Sequence, residues 1–247
     1  MALALGLMGL PGISSHAAER PQERHDMSQV QTRSDTLAAR QQAIVPIAAF
    51  AAAGDVASLR DALGRGLDAG LTVSEVREVL VQVYAYAGFP RSLNALAELM
   101  EVLETRRARG IQDAPGQAPS RAIPKGDALL AAGTANQTRL LGAPAQGAVF
   151  EFAPAIDEYL KTHLFGDIFE RDALDWQSRE IATVAMLASM PGTDSQLRSH
   201  VRISMNVGLS AAQLRQLADV LAEHVGAEAA RRAKDALERQ TTPPPAP

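Results

Sequence analysis

The sequence predicts an all-α protein built from two tandem, diverged copies of one helical unit that pack together. Three observations carry this prediction. Alanine and leucine dominate the chain and aromatic residues make up only 4% of it, a composition that favours helices over strands. No stretch alternates between apolar and polar residues as a half-buried strand would. An internal repeat relates the two parts of the chain, whose 247 residues suffice for a sizeable core.

The internal repeat becomes visible when the sequence is shifted by 138 residues. Without a gap, the shift matches Gly54 with Gly192, Leu59 with Leu197, Arg60 with Arg198, Gly70-Leu71 with Gly208-Leu209, Arg77 with Arg215, Gly88 with Gly226, and Leu99 with Leu237. It also aligns two predicted capping boxes, Thr72 to Glu75 and Ser210 to Gln213. Each box follows a glycine suited to ending the previous helix. We therefore expect the same series of helices in both copies.

Each copy is predicted to contain a helix, a tight turn, a second helix ended by glycine, a capped third helix and a fourth helix. In the first copy, residues 37–107, the helices are predicted at 37–53, 56–68, 73–87 and 90–107. In the second copy, residues 150–240, they are predicted at 175–190, 194–206, 211–225 and 227–239.

The segment between the copies, residues 108–149, is predicted to be a linker with one helix at 127–141. Pro154 is expected to begin a further short helix that ends near Leu164. The charged run from Asp167 to Asp175 is interpreted as a solvated loop or a helix start.

Both ends of the chain lie outside the predicted copies. Residues 1–17 resemble the end of a secretory signal, because apolar or small residues precede the small-x-small sequence Ser15-His16-Ala17. No basic residue precedes Arg20, so the basic start of such a signal is missing. We expect a periplasmic or secreted protein, with a cytoplasmic one as the alternative. Residues 18–36 are expected to be flexible and the proline-rich residues 241–247 disordered.

Charge and residue inventory narrow the possible functions. The formal net charge of -4 disfavours nucleic acid as a partner. The absence of cysteine excludes disulfides, thiolate metal sites and cysteine nucleophiles. The five histidines show no paired metal-ligand spacing, and no phosphate-binding or dinucleotide-binding motif occurs. No stretch is long and apolar enough to predict a membrane span. We therefore expect neither a cofactor nor a metal.

A carboxylate and an imidazole form the first candidate site, in the second copy. Glu180 lies on the first helix of a predicted hairpin and His200 on the second, at similar heights from the turn Pro191-Gly192-Thr193. Packed helix axes lie about 8–10 Å apart, so facing side chains can meet and act as a general acid and base. The alternative is a structural hydrogen bond or two solvated side chains. The first copy has Gln42 and Ala62 at the equivalent positions.

A second polar cluster lies in the first copy, near the end of its third helix. It contains Glu75, Glu78, Gln82, Tyr84, Tyr86 and Arg91. These side chains are predicted to line a pocket, with ordinary aromatic packing at a helix corner as the alternative. The second copy has His224, Gly226 and Ala227 in this region. The two copies are thus predicted to have kept different halves of one ancestral site.

Several separated motifs occur here in an order found in a known family. They are Ala69 to Thr72, Glu75, Glu78-Val79, Tyr84 to Arg91, Phe165 to Phe169 with Leu174, Arg179-Glu180, Leu197, His200, and Asn206 to Ser210. Together they resemble the carboxymuconolactone decarboxylase family, within the alkylhydroperoxidase D-like superfamily. The resemblance covers roughly residues 37–105 and 150–235.

This resemblance implies a lyase or isomerase that works without a cofactor on a small carboxylated, lactone-type substrate. Glu180 and His200 would transfer protons while the carboxylate leaves. Arg91 or Arg179 would bind a substrate carboxylate. Glu78, Tyr84 and Tyr86 would complete the substrate pocket.

Hydroperoxidases of the same superfamily carry two cysteines on this hairpin, at positions that fall near Thr193 and Gln196. Thiol chemistry is not available to this chain, so a hydroperoxidase is the least favoured function. A non-catalytic exported binding or scaffold protein on the same fold is the main alternative. The resemblance also implies a homo-oligomer, with a trimer of two-copy chains favoured and a dimer as the alternative.

Overall fold

The computed structural model describes residues 35–241. The predicted signal remnant, residues 18–34 of the predicted flexible segment and the tail after Thr241 lie outside the described residues. Within residues 35–241 the regular structure is helical throughout and contains no strand, which confirms the all-α prediction. In this part of the chain, no helix has both the length and the apolar character needed to cross a membrane.

The first copy forms its predicted helices with small changes at their ends. They are α1 (Ala39–Ala53), α2 (Val56–Asp68), α3 (Val73–Gln82), α4 (Tyr84–Ala87) and α5 (Phe89–Ala108). The third predicted helix is divided at Val83 into α3 and the single turn α4. The predicted capping box at Thr72 and Glu75 is formed, because each side chain bonds the backbone N–H of the other residue.

The stretch between α5 and the first repeated helix of the second copy, residues 109–175, contains more helical structure than predicted. Its helices are α6 (Asp127–Leu141), α7 (Ala148–Phe152) and α8 (Pro154–Tyr159), followed by a π-helix (Leu160–Ile168). Helix α6 agrees with the prediction, whereas α7 was not predicted. The short helix predicted from Pro154 is α-helical only to Tyr159, and then continues as the wider π-helix beyond Leu164. Such wide turns are rare and frequently occur at functional sites.

The second copy repeats the helices of the first in the same register. They are α9 (Trp176–Ala188), α10 (Asp194–Asn206), α11 (Ala211–His224) and α12 (Ala227–Thr241). The bounds of α10 are those of α2 moved by the shift that defines the repeat. The second capping box, at Ser210 and Gln213, is also formed.

The two copies share one core. Helix α1 makes its most extensive contacts with α9, and both helices are buried over most of their length. Helix α11 of the second copy packs on α1, while α3 and α4 of the first copy reach α1 and α9. A smaller apolar cluster joins α6, the π-helix and α10. The first helix of each copy therefore lies at the centre of the molecule, with the other copy against it.

Candidate active site

Glu180 and His200 meet inside the hairpin that α9 and α10 form. Asp175 begins α9, because its carboxylate accepts the N–H of Ser178 at 2.8 Å. His200 Nδ1 lies 2.8 Å from Glu180 Oε2. The carboxylate has no solvent-exposed surface, and His200 is 7% exposed. The structure thus brings together the two residues predicted to carry the chemistry, in a geometry that allows proton transfer.

The hydrogen bond gives the imidazole a defined direction. If Glu180 is ionised, it accepts the proton on Nδ1, and Nε2 of His200 then carries the lone pair. Nε2 has no hydrogen-bond partner in residues 35–241. The second carboxylate oxygen of Glu180, Oε1, is also buried without a protein partner among the described residues. Buried polar atoms are normally satisfied, so the unpaired carboxylate oxygen beside this histidine is a feature expected of a functional site.

Tyr86, on the short helix α4, is a residue of the first copy that contacts this pair. Its ring packs edge-on against the His200 ring with centroids 5.6 Å apart. Its hydroxyl lies 3.3 Å from Thr183 Oγ1. Burial raises the pKa of the Tyr86 phenol, and the nearby charge of Glu180 raises it further. The phenol is therefore neutral at physiological pH and is available as a hydrogen-bond donor.

Gln82 ties α3 of the first copy to α9 of the second, beneath Tyr86. Its Nε2 donates to Thr183 Oγ1 at 2.8 Å and to the carbonyl of Arg179 at 3.0 Å. Its Oε1 accepts from Arg179 Nη1 at 3.2 Å. All the side-chain polar atoms of the fully buried Gln82 are used in this way, so the position of Tyr86 relative to α9 is fixed by hydrogen bonds.

Glu78 and Arg179 form a buried ion pair and do not line the cleft described below. Arg179 Nη2 donates to Glu78 Oε2 at 2.9 Å, and Arg171 adds two-pronged contacts at 2.7 and 2.9 Å. Burial raises the pKa of Glu78, but the hydrogen bonds from Arg171 and Arg179 outweigh it, so that the net pKa lies below its ordinary value. Desolvation lowers the pKa of Arg179. Arg171 belongs to the charged run from Asp167 to Asp175, which was interpreted as a solvated loop or a helix start. In the structure its guanidinium pairs with the buried carboxylate of Glu78.

Arg91 and Tyr84 also lie away from the histidine. Arg91 donates to the carbonyl of Ala52 at the end of α1. Arg232 donates to the carbonyl of Met190, which is equivalent to Ala52 under the repeat shift. The two arginines thus perform the same structural task in the two copies, satisfying carbonyls at the end of a central helix. Tyr84 stacks on Phe89 with ring centroids 4.7 Å apart.

A cleft of about 930 Å³ opens beside His200 and Tyr86. One wall is the hairpin, which contributes Leu187, Gly192, Thr193, Ser195, Gln196, Ser199, His200, Arg202 and Ile203. The other wall comes from α6, the loop after it, α7, α8 and the π-helix, and contributes Gln137, Leu141, Ala143, Pro144, Ala145, Gln146, Val149, Phe150, Ile156, Leu160, Leu164 and Phe165. Both Thr193 and Gln196, at the expected cysteine positions, face this space.

Sequence reasoning missed most of the residues that line the cleft. A helical-spacing signal was available for Gln196, Ser199 and Ile203, which share a helix face with His200. The other wall comes from residues 137–165, and no sequence signal indicated that this stretch packs near α10. Within residues 35–241, no group of histidine, aspartate and glutamate side chains is arranged to hold a metal ion.

The fold and this pair define a class of protein: an all-α, two-copy molecule with a carboxylate and an imidazole joined in one copy. The family model described as the carboxymuconolactone decarboxylase family matches residues 22–101 and 154–239. These two segments cover more than half of the chain, which therefore belongs to the carboxymuconolactone decarboxylase family. The two separate matches confirm the predicted two-copy form. A search of curated proteins found no match.

Proposed function

We propose that the protein is a cofactor-independent lyase or isomerase that acts on a small carboxylated substrate through acid–base chemistry at Glu180 and His200. The observation that carries this proposal is the 2.8 Å contact of His200 Nδ1 with a fully buried carboxylate, beside a cleft large enough for a ligand. Membership of the family supports a decarboxylase-like reaction.

The geometry supports a proton-transfer mechanism. Nε2 of His200 removes a proton from a carbon next to a carbonyl, and Glu180 stabilises the imidazolium that forms. In a decarboxylation, the bond to the carboxylate breaks instead, carbon dioxide leaves, and the electron pair remains on the substrate as an enolate. For this branch His200 enters the cycle protonated: it delivers its proton to that carbon and afterwards takes up another from solvent. Tyr86, a neutral phenol beside the pair, would stabilise the enolate oxygen by donating a hydrogen bond.

A binding protein without turnover is the second candidate function. One observation favours it: the first copy has no such pair at the equivalent positions. Gln42 donates to the carbonyl of Leu37, and Ala62 is buried in the core. One copy of the helical unit therefore folds without a carboxylate–imidazole pair.

The decisive experiment measures proton exchange and carbon dioxide release together. The full chain is incubated in D₂O with a panel of lactone carboxylic acids and 3-oxo acids, followed by NMR. We expect deuterium at the carbon next to the carbonyl, or loss of the carboxylate, for at least one compound. His200→Ala is expected to lower the rate by about 10²–10⁴-fold, the usual contribution of a general base or acid.

His224→Ala is the matched control, because His224 occupies the repeat-equivalent position of Tyr86 and is partly exposed at the surface. It is expected to keep the full rate. Ligand binding without exchange or release by the wild type would favour the binding protein, and an unchanged rate in His200→Ala would remove His200 from the mechanism.

A further inference from the structure

We infer that the ligand of this cleft is a monocarboxylic acid with an extended apolar body, and that Arg202 binds its carboxylate. The inference takes from the proposed function that this cleft is the active site, and it adds the class of compound and the residue that recognises the acid group. It rests on the charge and shape of the lining, which were not used to propose the reaction.

Arg202 lies on α10, two residues after His200, and lines the same cleft. Among the described residues that line the cleft, Arg202 is the only lysine or arginine and none is acidic. Its guanidinium forms no ion pair or side-chain hydrogen bond with a residue in the range 35–241. Arginine is the residue best suited to a carboxylate, because its planar fork donates two parallel hydrogen bonds. The cleft therefore presents one unmatched positive charge.

A second groove, near the turn between α9 and α10, differs from the cleft because its lining charges are balanced. That groove is lined by Arg198, Arg231, Arg232 and Arg239 and by Asp55, Asp194, Glu228 and Asp235. Equal numbers of the two signs face each other there, and Arg231 and Arg232 are held in ion pairs. That groove offers no comparable preference for an anion.

The wall opposite α10 indicates the rest of the ligand. Apolar side chains from α7, α8 and the π-helix cover it: Val149, Phe150, Ile156, Leu160, Leu164 and Phe165. The volume of about 930 Å³ is near the upper end of the range of about 300–1,000 Å³ for clefts that hold drug-sized ligands. A compact lactone acid would leave much of this wall uncovered, whereas an acid with a longer apolar body would cover it. Among the described lining residues no second cationic side chain is available to pair with another carboxylate, and burying an unpaired charge is costly.

The test measures binding of unreactive acids, so that it does not depend on turnover. The probes are phenylacetate, 3-phenylpropanoate, 4-phenylbutanoate and 5-phenylpentanoate, each paired with its primary amide, titrated into the full chain by calorimetry. We expect affinity to rise along the series by up to about fourfold per methylene group. Each acid is expected to bind at least about tenfold more tightly than its amide, as for a charge-assisted pair.

Arg202→Gln is expected to remove this preference, lowering affinity for the acids about tenfold and leaving the amides unchanged. Arg198→Gln is the matched control, because it makes the same charge change on the same helix but lines the other groove. It is expected to leave both affinities unchanged. Circular dichroism of both variants verifies that their helical content is that of the wild type.

Four results would overturn the inference: no binding of any acid, equal affinities for acids and amides, equal losses in Arg202→Gln and Arg198→Gln, or tighter binding of glutarate than of the phenyl acids. Its failure can be told apart from failure of the proposed function. If the protein binds the acids more tightly than the amides but turns over no substrate, the inference holds and the proposed function is contradicted. Turnover that depends on His200, without selectivity for these acids, does the opposite.

Discussion

The buried polar residues around Tyr86 have no polar counterparts at the repeat-equivalent positions. Under the shift that relates the copies, Gln82 corresponds to Val220 and Thr183 corresponds to Val45. Valine at these two positions shows that the fold does not require polar groups there. Burying an amide and a hydroxyl is unfavourable unless every polar atom is paired. Their presence beneath Tyr86 alone is best explained by the need to hold that ring against His200.

The carboxylate of Glu78 stabilises the buried polar cluster beneath Tyr86, because it neutralises the fully buried Arg179. Glu78→Gln is expected to lower the free energy of unfolding by about 3–5 kcal/mol, since it leaves a buried guanidinium without its carboxylate. Urea denaturation at pH 7 measures the change. Glu228→Gln is the control, as it removes a carboxylate from a surface pair with Arg231 and is expected to have little effect.

The ion pair of Glu78 with Arg179 predicts that the stability of the fold depends on pH. The pKa of Glu78 is lower in the folded protein than its ordinary value of 4.5. Its contribution is therefore fully present above pH 4.5 and is lost as pH falls through the lower folded-state value. Stability should fall more steeply below pH 4.5 in the wild type than in Glu78→Gln. Parallel pH profiles of the two proteins would contradict this assignment.

The π-helix and α6 form a wall of the cleft because their backbones approach closely. A Cβ atom placed on Gly133 of α6 would lie 1.7 Å from the carbonyl oxygen of Lys161. Gly166 of the π-helix lies on the other side of the same contact, where a Cβ would meet Leu129. Only glycine permits this approach, which sets the position of Leu160, Leu164 and Phe165 in the cleft.

Gly133→Ala is expected to destabilise the protein by about 1–3 kcal/mol, because the added methyl group forces the two backbones apart. Gly64→Ala is a matched control, since Gly64 also lies inside a helix but has no atom within 4 Å of the added Cβ. There the gain in helix propensity is expected to stabilise by up to about 1 kcal/mol. Thermal unfolding measures whether each variant is less or more stable than the wild type. A change in stability of the same sign in both variants would contradict the close approach of the two backbones.

The two copies are interdependent because the central helix of each packs on the other. Ala48 and Ala49 of α1 and Ala182 and Ala185 of α9 have no exposed surface. Small side chains at such positions allow two helices to approach closely. Separating the copies would expose both of these faces to water. The repeat is thus a feature of the sequence that does not correspond to two independent folding units.

Fragments 35–125 and 126–241 are therefore expected not to unfold cooperatively when each is produced alone. Mixing them should restore helical content and a single thermal transition, because the α1–α9 contact re-forms. Circular dichroism of each fragment and of the equimolar mixture measures this. A cooperative transition in either isolated fragment would show that a copy folds without its partner. The predicted trimer remains a prediction, as does export.

The helices, their caps and the repeat register were predictable because their signals are local. A capping box such as Thr72 with Glu75 spans four residues, and a helix-ending glycine acts on its own backbone. The meeting of Glu180 and His200 was predictable for a related reason, because a short turn joins their helices and fixes their relative height. Family membership followed from the same motifs.

Contacts between residues distant in sequence could only be seen in the folded chain. Arg171 and Glu78 are separated by 93 residues, and nothing near either of them indicates the other. Arg91 looked like a ligand for a substrate carboxylate because a guanidinium suits that task, but it suits the end of α1 equally well. The other wall of the cleft comes from residues 137–165, which meet α10 only in the folded chain. Local chemistry therefore determined the helices and the acid–base pair, whereas long-range packing decided which charges were neutralised and which one was left facing the cleft.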